Sequence, residues 1–328
     1  MTGRILCIAD GMTHPQFTIP KPLVPFHKGS FDTTPIGHPT ESLPCILSLL
    51  GLPPEQIPHN ARGWLEALGY GISLKPDDLI LRTTWVHTDA SGHVTDYAVP
   101  SVLPPIANFF PIGGYKGLLI YPGQAQLCEK IETFAPYRFL GAQLVDCLPK
   151  KLESLPQPLA GQNIYLIPWG QSRVGHLLQY SNFAFVGGTA LVRGIALAMG
   201  MDIIENPAFT GDTDADLPAK TRMAMELAEQ GNLVLLHING GDEAAHRRAP
   251  REKTEFTERV VTECALPLLR SSIPTIVTSD HGTDPENGCH IDLPQPFFAN
   301  CISQEFASSI PAQRAISLLR EATTWPKQ

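Results

Sequence analysis

The chain has 328 residues, 43% hydrophobic and 17% charged, which is enough to bury a sizeable core in one large domain or two smaller ones. Its net charge of −8, without a long run of Lys or Arg, argues against nucleic acid or an anionic membrane as the main partner. Seven singly scattered Cys make a poor disulfide framework, and no apolar stretch reaches the length of a membrane span. We therefore expect a cytoplasmic protein with reduced thiols, and the early first strand leaves no room for a signal peptide.

The first hundred residues contain apolar runs separated by turn residues. The run before Gly51 predicts a helix that ends there, because Pro53 and Pro54 cannot continue it. In chain order we expect a strand over 4–9, a loop and helix within 39–51, a short helix over 61–70, and strands over 79–86 and 93–97.

The composition changes between about 98 and 175, where Pro clusters and a Gly-Gly pair appear and charges are few. We interpret this stretch as an inserted smaller domain, a cap over the substrate, and assign 1–97 and 176–328 to a discontinuous core. Strands and helices then alternate regularly, which predicts an α/β fold with a mostly parallel sheet and helices on both faces. The expected elements are strands over 183–186, 201–205, 233–238 and 273–278, and helices over 189–200, 217–230, 252–270 and about 311–322.

Carboxylates and imidazoles follow three of the predicted strands, at the edge where open α/β sheets build their sites. Asp10 follows the first strand, Asp242 and His246 follow the run 233–238, and Asp280 and His281 follow 273–278. A helical turn would place Asp242 and His246 on one face. With His290, a loop histidine by itself, the set offers mixed nitrogen and oxygen ligands that suit Mn²⁺, Zn²⁺ or Co²⁺ better than Ca²⁺. We predict a two-metal centre for hydrolysis or phosphoryl transfer.

A nucleophile is the other requirement of such a centre. Ser42 precedes the apolar run 45–50, so we expect it near a helix N-terminus, where backbone N–H groups favour a phosphate. Ser or Thr in this position is usually a helix cap, and Thr40 competes with Ser42 on position alone.

Several segments also form an ordered pattern over roughly 1–97 and 183–300. They are Asp10-Gly11-Met12, Glu41-Ser42-Leu43, Ala61-Arg62-Gly63, Gly188–Met201, Thr210-Gly211-Asp212, Asp242–His246, Asp280-His281 and His290 before Pro294–Phe297. In these motifs the chain resembles the alkaline phosphatase superfamily, and within it the archaeal-type cofactor-independent phosphoglycerate mutases.

The resemblance implies an alkaline-phosphatase-like core and two divalent metal ions, with Mn or Zn expected, Mg or Co as alternatives, and no organic cofactor. It implies one metal held by Asp10, Ser42, Asp280 and His281, and a second held by Asp242, His246 and His290. It also favours Ser42 over Thr40 as the nucleophile, which would carry a phosphoserine intermediate.

Three functions follow as hypotheses, all on a small phosphorylated metabolite. The first is interconversion of 2- and 3-phosphoglycerate in glycolysis, the second is a phosphatase or phosphodiesterase on another substrate, and the third is a non-catalytic phospho-ligand-binding descendant. A phosphoglycerate carries two anionic ends, so its site needs several guanidinium groups. The candidates are Arg62, Arg82, Arg193 and, in the predicted insert, Arg138 and Arg173.

Overall fold

In the computed structural model, the first predicted strand lies inside a large sheet. It spans Arg4–Ala9 (β1), and the five residues after Arg4 are all buried, as its continuous apolar run predicts. β1 pairs in parallel with Leu233–Ile238 (β10) on one side and Thr275–Thr278 (β11) on the other. The structure describes residues 3–12, 17–19, 26–103, 105–134, 136–151, 163–302 and 306–322.

Within these residues the sheet has eight strands, in the order β15-β2-β14-β11-β1-β10-β8-β9. Only β14 among them is antiparallel to its neighbours, so the sheet is mostly parallel, as predicted. The remaining strands are His27–Asp32 (β2), Phe183–Val186 (β8), Asp202–Ile203 (β9), Gln295–Ala299 (β14) and Ile310–Pro311 (β15).

Helices cover both faces of this sheet. Ile5, Cys7 and Ala9 of β1 pack into one apolar cluster with residues of Leu217–Glu229 (α5) and Pro250–Arg259 (α7). Arg314–Glu321 (α9) contacts β1 and β11 without joining that cluster. The other helices of this part are Ser42–Leu49 (α1), Ala190–Ala198 (α4), Gly240–His246 (α6) and Leu266–Arg270 (α8). No helix in the described ranges combines the length and apolar character needed to cross a membrane.

The helix predicted over 252–270 is interrupted by a π-helical segment, Val260–Ala265, between α7 and α8. Pro267 explains the interruption, because it has no N–H to donate to the carbonyl of Glu263 one turn earlier. The hydroxyl of Thr221 lies 3.3 Å from that carbonyl, and its shorter bond, at 2.8 Å, goes to the carbonyl of Leu217.

Contacts divide the chain into two units, Met1–Pro58 with Leu178–Gln328, and His59–Leu177. The second unit contains an antiparallel five-stranded sheet in which β3 pairs with β4, β6 and β7. Its elements are Arg62–Gly69 (α2), Leu79–Thr88 (β3), Val94–Tyr97 (β4), Phe109–Gly113 (β5), Lys116–Tyr121 (β6), Leu144–Cys147 (α3) and Ile164–Arg173 (β7).

Residues 59–97 and 176–177, which are predicted to belong to the core, lie in the second unit of the structure. Strand pairing is the reason, since β3 lies between strands that come from the predicted insert. The assignment of the two units as metal-binding core and substrate cap stays a prediction.

Candidate metal centre

The carboxyl ends of three adjacent parallel strands bring the predicted ligands together. Asp10 follows β1, Asp280 and His281 follow β11, and α6 begins two residues after β10. Gly11 has a φ of +70°, and a Cβ there would lie 2.6 Å from the Cα of Asp242. A glycine is therefore needed for the β1 turn to pass this close to α6.

One group of possible ligands consists of Asp10, Asp280 and His281, all buried, with ligand atoms within 4.8 Å of one another. The Nε2 atom of His281 lies 3.6 Å from Asp10 Oδ1 and 3.4 Å from Asp280 Oδ2. Ser42 Oγ is 3.1 Å from the same nitrogen. These four residues are the set that the resemblance implied for one metal.

A second group, within the same 4.8 Å, consists of Asp242, His281 and His290. The resemblance implied His246 for this metal in place of His281. His246 is close, since its Nε2 atom lies 3.2 Å from Asp242 Oδ2 and 3.2 Å from Nε2 of His290. His281 therefore stands between the two groups, and its ring stacks on His290 with centroids 4.0 Å apart.

The outer imidazoles are oriented by backbone carbonyls. Nδ1 of His246 donates to the carbonyl of Gly288 at 2.9 Å, and Nδ1 of His290 donates to that of Thr40 at 2.8 Å. Each Nε2 atom therefore faces the ligand group, where it can bind a metal when it carries no proton. Because two lone pairs 3.2 Å apart repel, a proton or a metal ion must lie between these nitrogens.

Two buried carboxylate oxygens, Asp10 Oδ1 and Asp280 Oδ2, have no hydrogen-bond partner in the described part of the chain. Burial, followed by repulsion from neighbouring carboxylates, raises the pKa of Asp10 well above its usual value. Burial also raises the pKa of Asp280. A divalent cation would supply the missing partner and the missing charge, so the donor set fits a metal.

In the second ligand group the neighbouring imidazoles lower the pKa of the carboxyl group, in contrast to the first group, where the carboxyl pKa values are raised. Burial acts to raise the pKa of Asp242, but a hydrogen bond from His246 and the nearby imidazoles lower it overall. Burial lowers the pKa of His290 to about 4, and His281 adds to the effect. At neutral pH, Asp242 is therefore ionised and His290 is neutral, the states in which both bind metals.

The nucleophile candidates differ in their contacts. Ser42 is the first residue of α1, and its hydroxyl faces His281 as described above. It does not cap the helix, since Glu41 occupies the cap position. The hydroxyl of Thr40 lies 3.1 Å from that of Thr34. The geometry therefore favours Ser42.

Three buried residues behind the ligands were missed by the sequence analysis: His237, Lys253 and Thr283. Nε2 of His237 lies 3.2 Å from Asp10 Oδ2, and burial lowers the pKa of this histidine to about 3. A neutral His237 donates to that oxygen and leaves Asp10 Oδ1 for a metal. The signal in the sequence was a single His within the apolar run of β10.

The predicted substrate arginines are paired with carboxylates where the structure gives their partners. Arg62 and Arg82 share Glu66, at 3.0 and 2.6 Å, and Arg82 also stacks on Trp169. Arg193 donates to Glu205 at 3.1 Å. Arg138 is exposed, and Arg173 lies 3.9 Å from Glu129. A role in substrate binding stays a prediction for all five.

Two family models match this chain. Residues 27–103 match the 2,3-bisphosphoglycerate-independent phosphoglycerate mutase model, and residues 178–305 match the metalloenzyme superfamily model. The phosphoglycerate mutase of Methanopyrus kandleri is 26% identical over 310 residues, covering 76% of this chain and 72% of that protein. That of Methanococcus maripaludis is 25% identical over 318 residues, covering 82% and 78%.

Solved structures give the same fold. A cofactor-independent phosphoglycerate mutase from Thermoplasma acidophilum superposes with a TM-score of 0.53 at 15% identity, covering 98% of this chain and 99% of that one. A Pyrococcus horikoshii protein gives a TM-score of 0.68 at 19% identity, with both chains fully covered. The resemblance indicated by the motifs is confirmed, as are the predicted fold class and the prediction of a metal-dependent enzyme.

Proposed function

We propose that this protein transfers a phosphoryl group through a phosphoserine on Ser42 at a two-metal centre, and that it interconverts 2- and 3-phosphoglycerate. The observation that supports this most directly is the pair of unpartnered buried oxygens, Asp10 Oδ1 and Asp280 Oδ2, beside Nε2 of His281. Ser42 Oγ reaches the same nitrogen. Nucleophile and ligand atoms thus surround one small space.

The metals would be held by Asp10, Asp280, His281 and Ser42 on one side, and by Asp242, His246 and His290 on the other. When bound, they would lower the pKa of the Ser42 hydroxyl and neutralise charge on the phosphoryl oxygens. Mixed nitrogen and oxygen ligands favour Mn²⁺ or Zn²⁺, with Co²⁺ and Mg²⁺ as alternatives.

The chain's own residues account for the covalent steps. Ser42 Oγ loses its proton and bonds to phosphorus, while the bond from phosphorus to the substrate oxygen breaks and that oxygen gains a proton, so one proton is released and one is taken up. The first turn of α1, which begins at Ser42, would offer backbone N–H groups and the positive end of a helix dipole to the phosphoryl group. The phosphoryl group then passes from Ser42 to another hydroxyl of the same molecule, which makes the reaction an isomerisation.

A phosphatase or phosphodiesterase is the second candidate, and the pairing of the arginines favours it. Arg62 and Arg82 share one carboxylate, and Arg193 is paired with Glu205. Guanidinium groups already neutralised in this way are poorer partners for the carboxylate of phosphoglycerate than for a less charged phosphate ester. In that case water, rather than a second hydroxyl, would take the phosphoryl group from Ser42.

The test compares wild type, Ser42→Ala and Thr40→Ala, each loaded with Mn²⁺. We expect wild type to convert 3-phosphoglycerate to the 2-isomer and to show phosphate on Ser42 by mass spectrometry after rapid quenching. Ser42→Ala should lose several orders of magnitude in rate, because the nucleophile and the metals act as a unit. Thr40→Ala should stay within about tenfold of wild type, because its hydroxyl contacts Thr34 and not the ligands.

The outcomes separate the hypotheses. Phosphate release from a panel of esters without isomerisation would replace the mutase with the hydrolase. Phosphate trapped on Thr40, or full activity in Ser42→Ala, would contradict the nucleophile. If wild type binds no divalent metal and turns over no phosphate ester, both enzymatic hypotheses are wrong and the non-catalytic descendant is the remaining one.

A further inference from the structure

Thr283 is a fully buried residue that contacts the ligands of both predicted metals. It lies in the short strand Gly282–Thr283 (β12), two residues after His281. Its hydroxyl oxygen is 2.6 Å from Asp242 Oδ1 and 3.3 Å from Nδ1 of His281. Asp242 belongs to the second ligand group, and His281 belongs to both.

Thr283 has one hydroxyl proton, so its hydroxyl can donate to only one of these two partners. The contact with Asp242 is much the shorter of the two, at 2.6 Å against 3.3 Å, so Thr283 donates its proton to the carboxylate oxygen. Toward His281 the hydroxyl can then only accept, which requires a proton on Nδ1 of that ring. A neutral imidazole protonated on Nδ1 has its lone pair on Nε2, the atom that faces Asp10 and Asp280.

The backbone of Thr283 is held in place from behind. Its N–H donates to the carbonyl of Gly11 at 3.2 Å, and its own carbonyl accepts from the ammonium group of Lys253. Lys253, which is fully buried, also donates to the carbonyl of Gly11 at 2.6 Å. Thr283 is thereby tied to the turn that carries Asp10.

We propose that Thr283 is a positioning residue for the metal centre. Its hydroxyl holds His281 in the Nδ1-protonated tautomer and orients Asp242, and Lys253 holds the backbone of Thr283 in position. The hydroxyl couples the two ligand groups, because its donor bond serves one and its acceptor bond serves the other. This inference rests on the proposed two-metal function and adds a residue outside the predicted ligand set.

The experiment compares Thr283→Val, which keeps the shape of the side chain but removes the hydroxyl, with Thr283→Ser, which keeps the hydroxyl. Calorimetric titration should show that the affinity for Mn²⁺ is reduced about 10- to 100-fold in the Val variant, which is the usual loss when a residue that hydrogen-bonds to a metal ligand is removed. ¹⁵N NMR of the metal-free protein should show His281 protonated on Nδ1 in wild type and Ser variant, and a mixture with the Nε2 form in the Val variant.

Thr221→Val is the matched control, because it removes a buried hydroxyl that bonds to two helix carbonyls at 2.8 and 3.3 Å and touches no ligand. It should leave Mn²⁺ affinity and the His281 tautomer unchanged. If Thr283→Val cannot be purified folded, Thr283→Ala removes the same hydroxyl and is judged by the same two measurements.

Two negative results are distinguishable. Wild type that binds no Mn²⁺ would contradict the proposed metal centre itself. Wild type that binds two Mn²⁺ while Thr283→Val binds them equally well, with His281 still protonated on Nδ1, would overturn only the role of Thr283.

Discussion

The crowded carboxylates of the first ligand group should make the metal-free protein less stable than a variant that lacks one of them. Asp280 Oδ1 accepts the N–H groups of Gly11 and His281 at 3.4 and 2.9 Å, whereas Oδ2 has no partner among the described residues. In Asp280→Asn the amide oxygen can keep both bonds. The new NH₂ group replaces Oδ2 and can donate to the unpartnered oxygen of Asp10.

The size of the effect follows from the separation of the charges. Ligand oxygens of Asp10 and Asp280 lie within 4.8 Å of each other. At an effective dielectric constant of about 20, two unit charges at that separation repel by about 3.5 kcal/mol. A retained proton relieves part of this repulsion, so we expect metal-free Asp280→Asn to be about 1–3 kcal/mol more stable than wild type at pH 8. Most single substitutions have the opposite sign.

The assay is unfolding in denaturant, with EDTA and with excess Mn²⁺. Wild type should gain about 4 kcal/mol at a metal concentration 1,000 times the dissociation constant, whereas Asp280→Asn should gain little. Asp78→Asn is the matched control, because Asp78 is a buried carboxylate of the second unit whose Oδ1 has no hydrogen-bond partner in the described ranges, and it should keep the full metal response. An Asp280→Asn variant that is less stable than wild type in EDTA, or fully stabilised by Mn²⁺, would refute the reasoning.

Three further predictions concern the same centre. Burial raises the pKa of Asp10 and of Asp280, so these two carboxyl groups hold protons more tightly in the folded metal-free protein than in the unfolded chain. Their contribution to stability should therefore fall as pH rises from about 4 toward the raised values, while His237 and His290, whose pKa values are lowered, contribute with the opposite sign. The histidines are common to both proteins, so the stability advantage of Asp280→Asn over wild type in EDTA should grow between pH 5 and 8, and thermal midpoints of the two proteins would check this. Mn²⁺ affinity should rise over the same range, because binding displaces protons, and a pH-independent titration would contradict it. His237→Phe should weaken Mn²⁺ binding about 10- to 100-fold, because it removes the hydrogen bond to Asp10. His237→Gln can still donate to Asp10 and should weaken binding less. Equal Mn²⁺ affinities of the Phe and Gln variants would exclude a role for that hydrogen bond.

The ligand-bearing strands were predictable because their signal is local. β1, β10 and β11 are short apolar runs followed directly by turn or cap residues. Parallel strands of one sheet must end at the same edge, so Asp10, Asp242 and Asp280 could be expected together without knowledge of the strand order. The two pairings of β14 are antiparallel, have no such local signal, and were missed.

Long-range pairing set the limit of the sequence analysis. Nothing within residues 79–88 indicates that this strand pairs with 116–121 and 164–173, so the core was extended to residue 97. Thr283 and Lys253 were missed for a related reason. Each is an ordinary residue in its own segment. Lys253 is significant because it bonds to Gly11, 242 positions away in the sequence, and Thr283 because it bonds to Asp242, 41 positions away.

The separation of ligands and arginines between the two units bears on how substrate specificity should be studied. Every predicted metal ligand lies in the first unit, as does Arg193, while the other four predicted substrate arginines, Arg62, Arg82, Arg138 and Arg173, lie in the second. Phosphoryl chemistry needs only the metal centre and Ser42, whereas the choice of substrate needs cations that match its anionic ends. We therefore predict that substitutions of the arginines in the second unit alter which phosphate ester is used without altering metal affinity. Metal titrations and substrate panels should respond to different sets of variants, and this independence lets the metal centre be tested before the substrate is identified.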